Sequence, residues 1–296
     1  MKRNKISIVT PCYNMEKYIE QTIKSVVDQG YSNLEYIIID GGSTDKTLDI
    51  IKKYEDRIAV IVSEKDNGQY DAINKGLKLA TGDIVCWLNA DDVYMPWTLE
   101  TVNTVFNLDP HIAWICGQPS FLNAEGELTN IFSQLSSKPS SYIREGYFNK
   151  NLFGYLQQES MFWKRSILDE CGLLNLDLKL AADFELWTRF ALKAELYSVE
   201  LPLAAFRKHQ GSRSKILESQ YCSEVLKVVA SKKKYNFFIR TFASKGKLLN
   251  RIFRLLVWKK TQVVFYSIAK SRWVVSYRRR PISNISFSRL LLELDR

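Results

Sequence analysis

Three features of the sequence predict an α/β fold in which helices flank a mostly parallel sheet. Short apolar runs alternate with amphipathic stretches through residues 6–92, each apolar run stops abruptly at a polar cluster, and the spacing between runs suits helical crossovers. Strands buried on both faces read as continuous apolar runs. Strands alternating with helices imply right-handed βαβ units.

Ile6-Ser7-Ile8-Val9 is the first strand and terminates in Thr10-Pro11-Cys12-Tyr13-Asn14. A helical pattern from Glu16 to Asp28 leads to Tyr36-Ile37-Ile38-Ile39, which ends in Asp40-Gly41-Gly42-Ser43-Thr44-Asp45. A second helix, Thr44 to Glu55, precedes the strand Ile58 to Val62, which runs into Ser63-Glu64. A third, Tyr70 to Ala80, precedes Ile84-Val85-Cys86-Trp87-Leu88, which stops at Asn89-Ala90-Asp91-Asp92. Further on, Phe121 to Phe132 reads as a hairpin and Gln134 to Ser141 as a polar loop.

Open α/β sheets bind ligands at the carboxyl ends of their strands, so these polar clusters are the candidate site. Neither GxGxxG nor GxxxxGK[ST] occurs, which excludes the common dinucleotide and P-loop fingerprints. The adjacent carboxylates Asp91 and Asp92 suit a hard cation such as Mg²⁺ or Mn²⁺, although acidic caps at a strand-to-helix turn would read the same way. Gly41 and Gly42 allow a left-handed turn and close backbone approach, and Ser43 is a good N-cap. Asn67-Gly68 signals a turn. Asp71, Asn74 and Lys78 then share one helix face, as they also would on a solvated helix.

Composition bounds the setting. Five scattered cysteines with no CxxC pair read as reduced packing residues of a cytosolic protein. The start MKRNKISIVTP lacks the apolar stretch of a signal peptide. Residues 211–296 hold twenty Lys and Arg against four Asp and Glu, a net +16; with the whole chain at +10, residues 1–210 carry −6. In the basic part the charges interleave with bulky apolars, and Leu249, Ile252, Phe253 and Leu256 keep helical spacing. That composition predicts basic amphipathic helices on an anionic membrane surface. The same pattern suits helices packed on the catalytic part with snorkelling Lys and Arg. No reader motif supports nucleic acid as a partner, and no run reaches the ~18 apolar residues of a membrane span.

The blocks SIVTPCYN, IIIDGGSTDKT, SEKDNGQYDAINKG, ATGD and WLNADD, followed in order by QQESMFWKRSIL, LAADFELWTRFA and FRKHQGSRS, resemble family 2 glycosyltransferases. The likeness is to the GT-A fold, in the branch similar to colanic-acid-type surface-polysaccharide transferases, and covers residues 5 to about 210. It implies a GT-A domain over 1–210, with a nucleotide-binding half (1–92) and an acceptor half (93–210), before the basic helical extension at 211–296. It implies a nucleotide-sugar donor, with UDP the expected nucleotide, and Mn²⁺ or Mg²⁺ held by Asp91, Asp92 and His209. Asp40 would accept from the base N–H, with Thr10, Pro11 and Tyr13 around the base. Gly42, Ser43, Asp71, Asn74, Asn89 and Ala90 would surround the rest of the donor. Asn89 stands where the family often has Asp, so a ribose contact there would be uncharged. Beside His209, Arg207 or Lys208 suits phosphate oxygens, and the basic pair reads equally as solvated surface.

An inverting transfer needs a carboxylate to take the acceptor proton. Residues 183 and 185 lie about 200° apart on a helix, so only one can face a given cleft. The resemblance implies Asp183, with Glu185 the alternative; an N-capping Asp183 is the ordinary structural explanation. The expected activity is metal-dependent, inverting addition of one sugar to a saccharide or lipid-linked saccharide in surface polysaccharide biosynthesis, at the inner face of the cell membrane. The processive signature QxxRW is absent. A sugar nucleotidyltransferase would need a Gly-rich basic loop after the first strand, and a silent scaffold of the same fold would lack the carboxylates Asp40, Asp91, Asp92 and Asp183.

Overall fold

A computed structural model describes residues 2–131, 138–149, 153–230 and 258–281. The first half alternates β1 (Ile6–Cys12), α1 (Ile19–Val27), β2 (Leu34–Asp40), α2 (Thr47–Lys52), β3 (Val60–Ser63), α3 (Gln69–Leu79) and β4 (Ile84–Trp87). Then come β5 (Val93–Tyr94), α4 (Thr98–Phe106), β6 (Trp114–Cys116), β7 (Ser120–Leu122), β8 (Leu128–Ile131) and α5 (Ser140–Arg144). Next come β9 (Met161–Lys164), α6 (Arg165–Cys171), α7 (Ala182–Lys193), β10 (Leu196–Val199) and β11 (Ala204–Arg207). Beyond it lie α8 (Arg213–Ile216), α9 (Glu218–Ala230), β12 (Trp258–Ser267) and β13 (Arg272–Pro281).

Among the described residues these strands form a nine-stranded sheet in the order β13-β12-β10-β6-β9-β4-β1-β2-β3. It is mostly parallel, as the apolar runs predict. β9 is antiparallel to both β4 and β6, and β13 to β12. A smaller sheet, β5-β11-β7-β8, stands beside it, and its β7–β8 pair is the hairpin expected from Phe121 onward. Every residue of β1 and β4 is buried.

The first three helices form where the periodicity puts them, but their starts shift. α2 begins at Thr47 with Lys46 at the cap, so Ser43 is not an N-cap. Asp45 takes that duty, accepting from the Thr47 N–H at 2.9 Å and from Glu16 N–H at 3.1 Å. The polar loop at Gln134 to Ser141 lies largely outside the described residues, and Ser140 and Ser141 open α5.

An aromatic cluster sets the geometry of the site. Trp87 of β4, Trp163 of β9, Trp114 of β6 and Trp187 and Phe190 of α7 are all essentially buried. Trp87 stacks on Trp187 at 5.6 Å, and Trp163 meets both edge-on at 5.4 and 5.5 Å. Such pairs add about 0.5–1.5 kcal/mol each beyond area burial. The cluster packs the middle of α7 against the carboxyl end of β4.

The helical extension expected over 211–296 is corrected where the structure describes it. α9 is a helix, but residues 258–281 form a hairpin whose β12 pairs in parallel with β10 and places Val263 and Val264 in the core. The runs Thr261 to Tyr266 and Trp273 to Tyr277 are rich in β-branched and aromatic residues, which favour a pleated, half-buried surface over a helix. The helical spacing at Leu249 to Leu256 falls outside the described residues.

Candidate functional site

The carboxyl ends of β1, β2 and β4 converge, and their loops tie to one another. Asn14, at φ +52°, accepts from the Thr44 N–H at 2.8 Å, and its own N–H donates to Ser43 Oγ at 2.8 Å. Asp40 is fully buried and accepts from the Gly42 and Ser43 N–H groups, from Ser43 Oγ and, at 2.7 Å, from Ser63 Oγ. Its carboxylate, expected on a base N–H, is thus already engaged in shaping the loop. Gly42 supplies the left-handed turn at φ +80°; Gly41 does not, and is small because a Cβ there would lie 2.5 Å from Asp66 Oδ2. Thr10 is buried with its hydroxyl 3.1 Å from Tyr36 Oη, and Pro11 is buried in the strand. Tyr13, in the loop after β1, is 56% exposed.

Adjacent residues after β4 turn opposite ways. Asp91 Oδ2 lies 3.0 Å from His209 Nε2, and the imidazole packs on Tyr18 with ring centres 4.7 Å apart. Asp92 is fully buried: its Oδ1 accepts from the Arg207 N–H at 2.9 Å and its Oδ2 from Asn89 Nδ2 at 3.2 Å. Burial, Asp91 and Glu159 push its carboxyl well above the usual range. Asp92, expected beside Asp91 as a ligand, is therefore turned inward and joins β4 to β11. The Ala90 carbonyl accepts from Thr22 Oγ1 at 2.9 Å. Arg207 is also fully buried, with Nε on the Asp91 carbonyl at 2.7 Å and Nη2 on Gln21 at 2.7 Å. The Lys208 ammonium sits 3.6 Å from the centre of the Phe121 ring. The phosphate contact expected of this pair finds Arg207 already committed.

α3 bridges the two halves. Asp71 accepts from the Asn67 N–H at 3.0 Å, and this bond, with Lys75, keeps its pKa low. Asn74 uses both ends of its amide on the Leu174 backbone, at 2.9 and 3.0 Å. Both side chains hold neighbouring backbone in place. Gln69 reaches from the same helix to Asn89 Oδ1 at 2.7 Å, and exposed Arg213 donates to Gln69 Oε1 at 2.9 Å.

Asp183 is not an N-cap: that place belongs to Ala181, and Asp183 sits half-buried in the first turn of α7. Tyr70 Oη lies 3.3 Å from its Oδ1 and donates to the Leu180 carbonyl at 2.7 Å. Burial raises the Asp183 carboxyl to about 6 despite these donors. Glu185, the alternative base, points away and forms an ion pair with Arg189 at 2.8 Å.

Three residues escaped the sequence reading. Glu159 is buried in the turn before β9, its Oε1 has no hydrogen-bond partner among the described residues, and burial raises its carboxyl to about 8, helped by Asp91 and Asp183. Glu224 of α9 accepts the N–H groups of Lys179, Leu180 and Ala181 at 2.8–3.1 Å, and so caps the strand of chain that leads into α7. Arg213 is the third. Glu159 and Arg213 lie inside recognisable blocks, QQES and GSRS, but nothing local marks their burial or reach.

Residues 7–171, more than half the chain, match Glycosyl transferase family 2. An uncharacterized glycosyltransferase of Haemophilus influenzae is 24% identical over 98% of this chain and 92% of its own length. A putative teichuronic acid biosynthesis glycosyltransferase of Bacillus subtilis is 43% identical over 32% of this chain and 39% of its own. Two Rickettsia glycosyltransferases, 28% identical over 74% of this chain, are matched over only 37% of their length. Among solved structures, S. aureus TarS (residues 1–349) in complex with UDP-GlcNAc superposes with a TM-score of 0.61 at 20% identity, covering 79% of this chain and 67% of that one. A mannosyltransferase from Pyrobaculum calidifontis, in complex with GDP-Man and Mn²⁺, gives 0.59 at 20% identity, covering 84% and 72%. The fold is GT-A-like.

Proposed function

The chain belongs to glycosyl transferase family 2, and we propose that it moves one sugar, with inversion and with help from a divalent cation, from a nucleoside-diphosphate donor to a lipid-linked saccharide. The observation that carries this reading is the Asp91–His209 pair at the end of β4, with Glu159 in electrostatic reach of both Asp91 and Asp183. A carboxylate oxygen beside an imidazole nitrogen suits Mn²⁺. Among the described residues no group of three or more His, Cys, Asp or Glu could hold an ion unaided, so donor phosphates would complete the set, the usual arrangement for such ions. When bound there, the cation would act as a Lewis acid toward the departing diphosphate.

The chain's own groups do the rest. Arg213, exposed between Gln69 and the Lys179 carbonyl, can reach a phosphate oxygen. The exposed ring of Tyr13 can stack on a base, for which uracil is our choice. Asp183, ionised above about pH 6, takes the acceptor hydroxyl proton as that oxygen bonds to the anomeric carbon and the carbon–phosphate oxygen bond breaks. Glu224 holds the entry to α7 and so keeps this carboxylate in place. A lipid-linked acceptor, membrane-surface work and surface polysaccharide assembly are proposed from the +16 charge of residues 211–296 and from the Bacillus relative. Among the described residues no helix is long and apolar enough to cross a membrane.

The test is thermal stability of the protein against nucleoside diphosphates and nucleotide sugars, with and without Mn²⁺. A ligand at a hundred times its Kd stabilises by about 2.7 kcal/mol. We expect that gain for one base, and only with the cation. Equal stabilisation in excess EDTA would remove the metal from the reading; none with any nucleotide would remove the donor.

A further inference from the structure

The β12–β13 hairpin is the one described part of the C-terminal region that the proposed reaction leaves unused. β9 is antiparallel to β4 and to β6, while β10 is parallel to β6 and β12 to β10. β12 therefore runs in the same sense as β1, β2 and β4 and ends on the edge of the sheet that bears the candidate site. The hairpin also overshoots. Its last pair with β10 is Val199–Val264, yet β12 and β13 stay paired to Ser267–Arg272. Three residues at about 3.4 Å each, plus the turn, carry its tip roughly 10 Å or more past its neighbour. Along the sheet β12 stands four strands from β4.

Side-chain character changes along this length. At the root, Val263 and Val264 are fully buried. Next, Tyr266 and Trp273 face each other in register and pack edge-on at 5.9 Å, with Tyr266 53% exposed. At the apex Ile268 is 87% exposed, beside exposed Lys270 and Arg272. Residues 258–281 hold seven Lys and Arg and no acid. The apex is held in shape by the Ser271 N–H on the Ile268 carbonyl at 3.1 Å. An apolar tip, cations beside it and an aromatic pair behind them match the layers of a lipid interface, where Trp and Tyr sit at headgroup level.

We propose that this tip docks the protein on an anionic lipid surface. Ile268 enters the acyl boundary, Lys270 and Arg272 meet lipid phosphates, and Tyr266 and Trp273 lie among the headgroups. The inference rests on the lipid-linked acceptor proposed above and names the surface that reaches it. A soluble polyanion would ask only for charge, whereas the apex here also presents an aliphatic side chain that is 87% exposed.

The experiment uses the full chain and vesicles of phosphatidylcholine with or without phosphatidylglycerol. Co-sedimentation is measured for the wild type, Ile268→Ser and the double variant Lys270→Ser with Arg272→Ser. Donor hydrolysis and circular dichroism are followed in parallel. Binding should need phosphatidylglycerol and weaken with salt. It should fall about tenfold on losing the buried isoleucine and about 25-fold on losing two cations worth about fivefold each, with donor hydrolysis unchanged. Wild-type binding that both variants keep within twofold would overturn the docking tip while leaving a membrane role elsewhere in 211–296. Absence of wild-type binding at low salt, with donor turnover intact, would remove the membrane role and the tip together but not the transferase. Loss of binding to vesicles and to soluble polyphosphate alike in the double variant, with Ile268→Ser unaffected, would identify a polyanion surface and overturn the proposal.

Discussion

Two buried glutamates sit at opposite edges of the same sheet, and the protein treats them in opposite ways. Glu35, near the amino end of β2, is surrounded by donors: Lys5 Nζ, Ser7 Oγ, the Thr81 N–H at 2.7 Å and Thr81 Oγ1 at 2.6 Å. Burial alone would raise its carboxyl, yet these partners bring it down to about 2. Glu159, at the carboxyl edge, has an oxygen with no partner among the described residues and rises to about 8, chiefly from burial. A fold that can satisfy a buried carboxylate at one edge and does not at the other is keeping the second edge for something else. That inference locates chemistry without reference to any relative.

The comparison breaks most visibly if the carboxyl edge is not where turnover happens. Asp91→Ala should lower transfer by at least about 10³-fold, the upper range for losing one electrostatic contact to a developing charge. Metal-dependent nucleotide affinity should fall with it while the fold survives. Wild-type rates in this variant would return Asp91 to the role of a cap.

Asp183→Asn should cost at least about a hundredfold in turnover, the scale of general-base catalysis, with donor affinity and stability little changed. In the wild type, a base with pKa near 6 makes the rate climb about tenfold per pH unit below 6 and level off above it. A flat profile from pH 5 to 8 would exclude it as the base.

Stability sharpens the contrast between the two glutamates. Between about pH 4 and 8 the folded protein keeps a proton on Glu159 that the unfolded chain has lost, so this group's effect is to lower stability as pH rises through that window. Glu159→Gln should therefore stabilise by about 3 kcal/mol at pH 7 and slow catalysis. Glu35 works with the opposite sign: its contribution is present above about pH 4 and is lost as pH falls toward 2. Glu35→Gln should destabilise by about 2–3 kcal/mol and leave kcat alone. Urea titrations at pH 5 and pH 8 distinguish the signs, and equal signs would undo the comparison. The smallest effect belongs to Glu185→Gln, which breaks a partly exposed pair with Arg189 worth about 1 kcal/mol or less. A large loss of turnover there would contradict its outward orientation.

Much of the fold was legible because parallel strands buried on both faces leave unbroken apolar runs, as at Ile37 to Ile39 and Ile84 to Leu88. The helix starts were less so, since Asp45 and not Ser43 captures the free N–H groups. The unequal fates of Asp91 and Asp92 were not legible, because both lie in the turn after β4, closed by the Asp92 N–H on the Asn89 carbonyl, where strand alternation does not apply. Glu159, Glu224 and Arg213 act through contacts made across the fold. Glu159 becomes a buried carboxyl only once β9 slots between β4 and β6, and Glu224 reaches its three N–H groups from 43 to 45 residues away. The hairpin was misread because its charges drew attention to an interface helix while its Val, Thr, Tyr and Trp content argued for strands.

The placement of β12 beside β10 also has a temporal side. About sixty residues separate Val199 from Trp258, and at about 5–20 residues per second a ribosome needs roughly 3–12 s to make them. During that interval β10 can be complete while the strand that covers its outer edge has not yet been synthesised. Unpaired strand edges invite association with other chains. A nascent chain stalled or released inside this window would be a candidate for chaperone capture, and ribosome-bound chains ending near residue 230 should cross-link to chaperones more than chains that extend past 281.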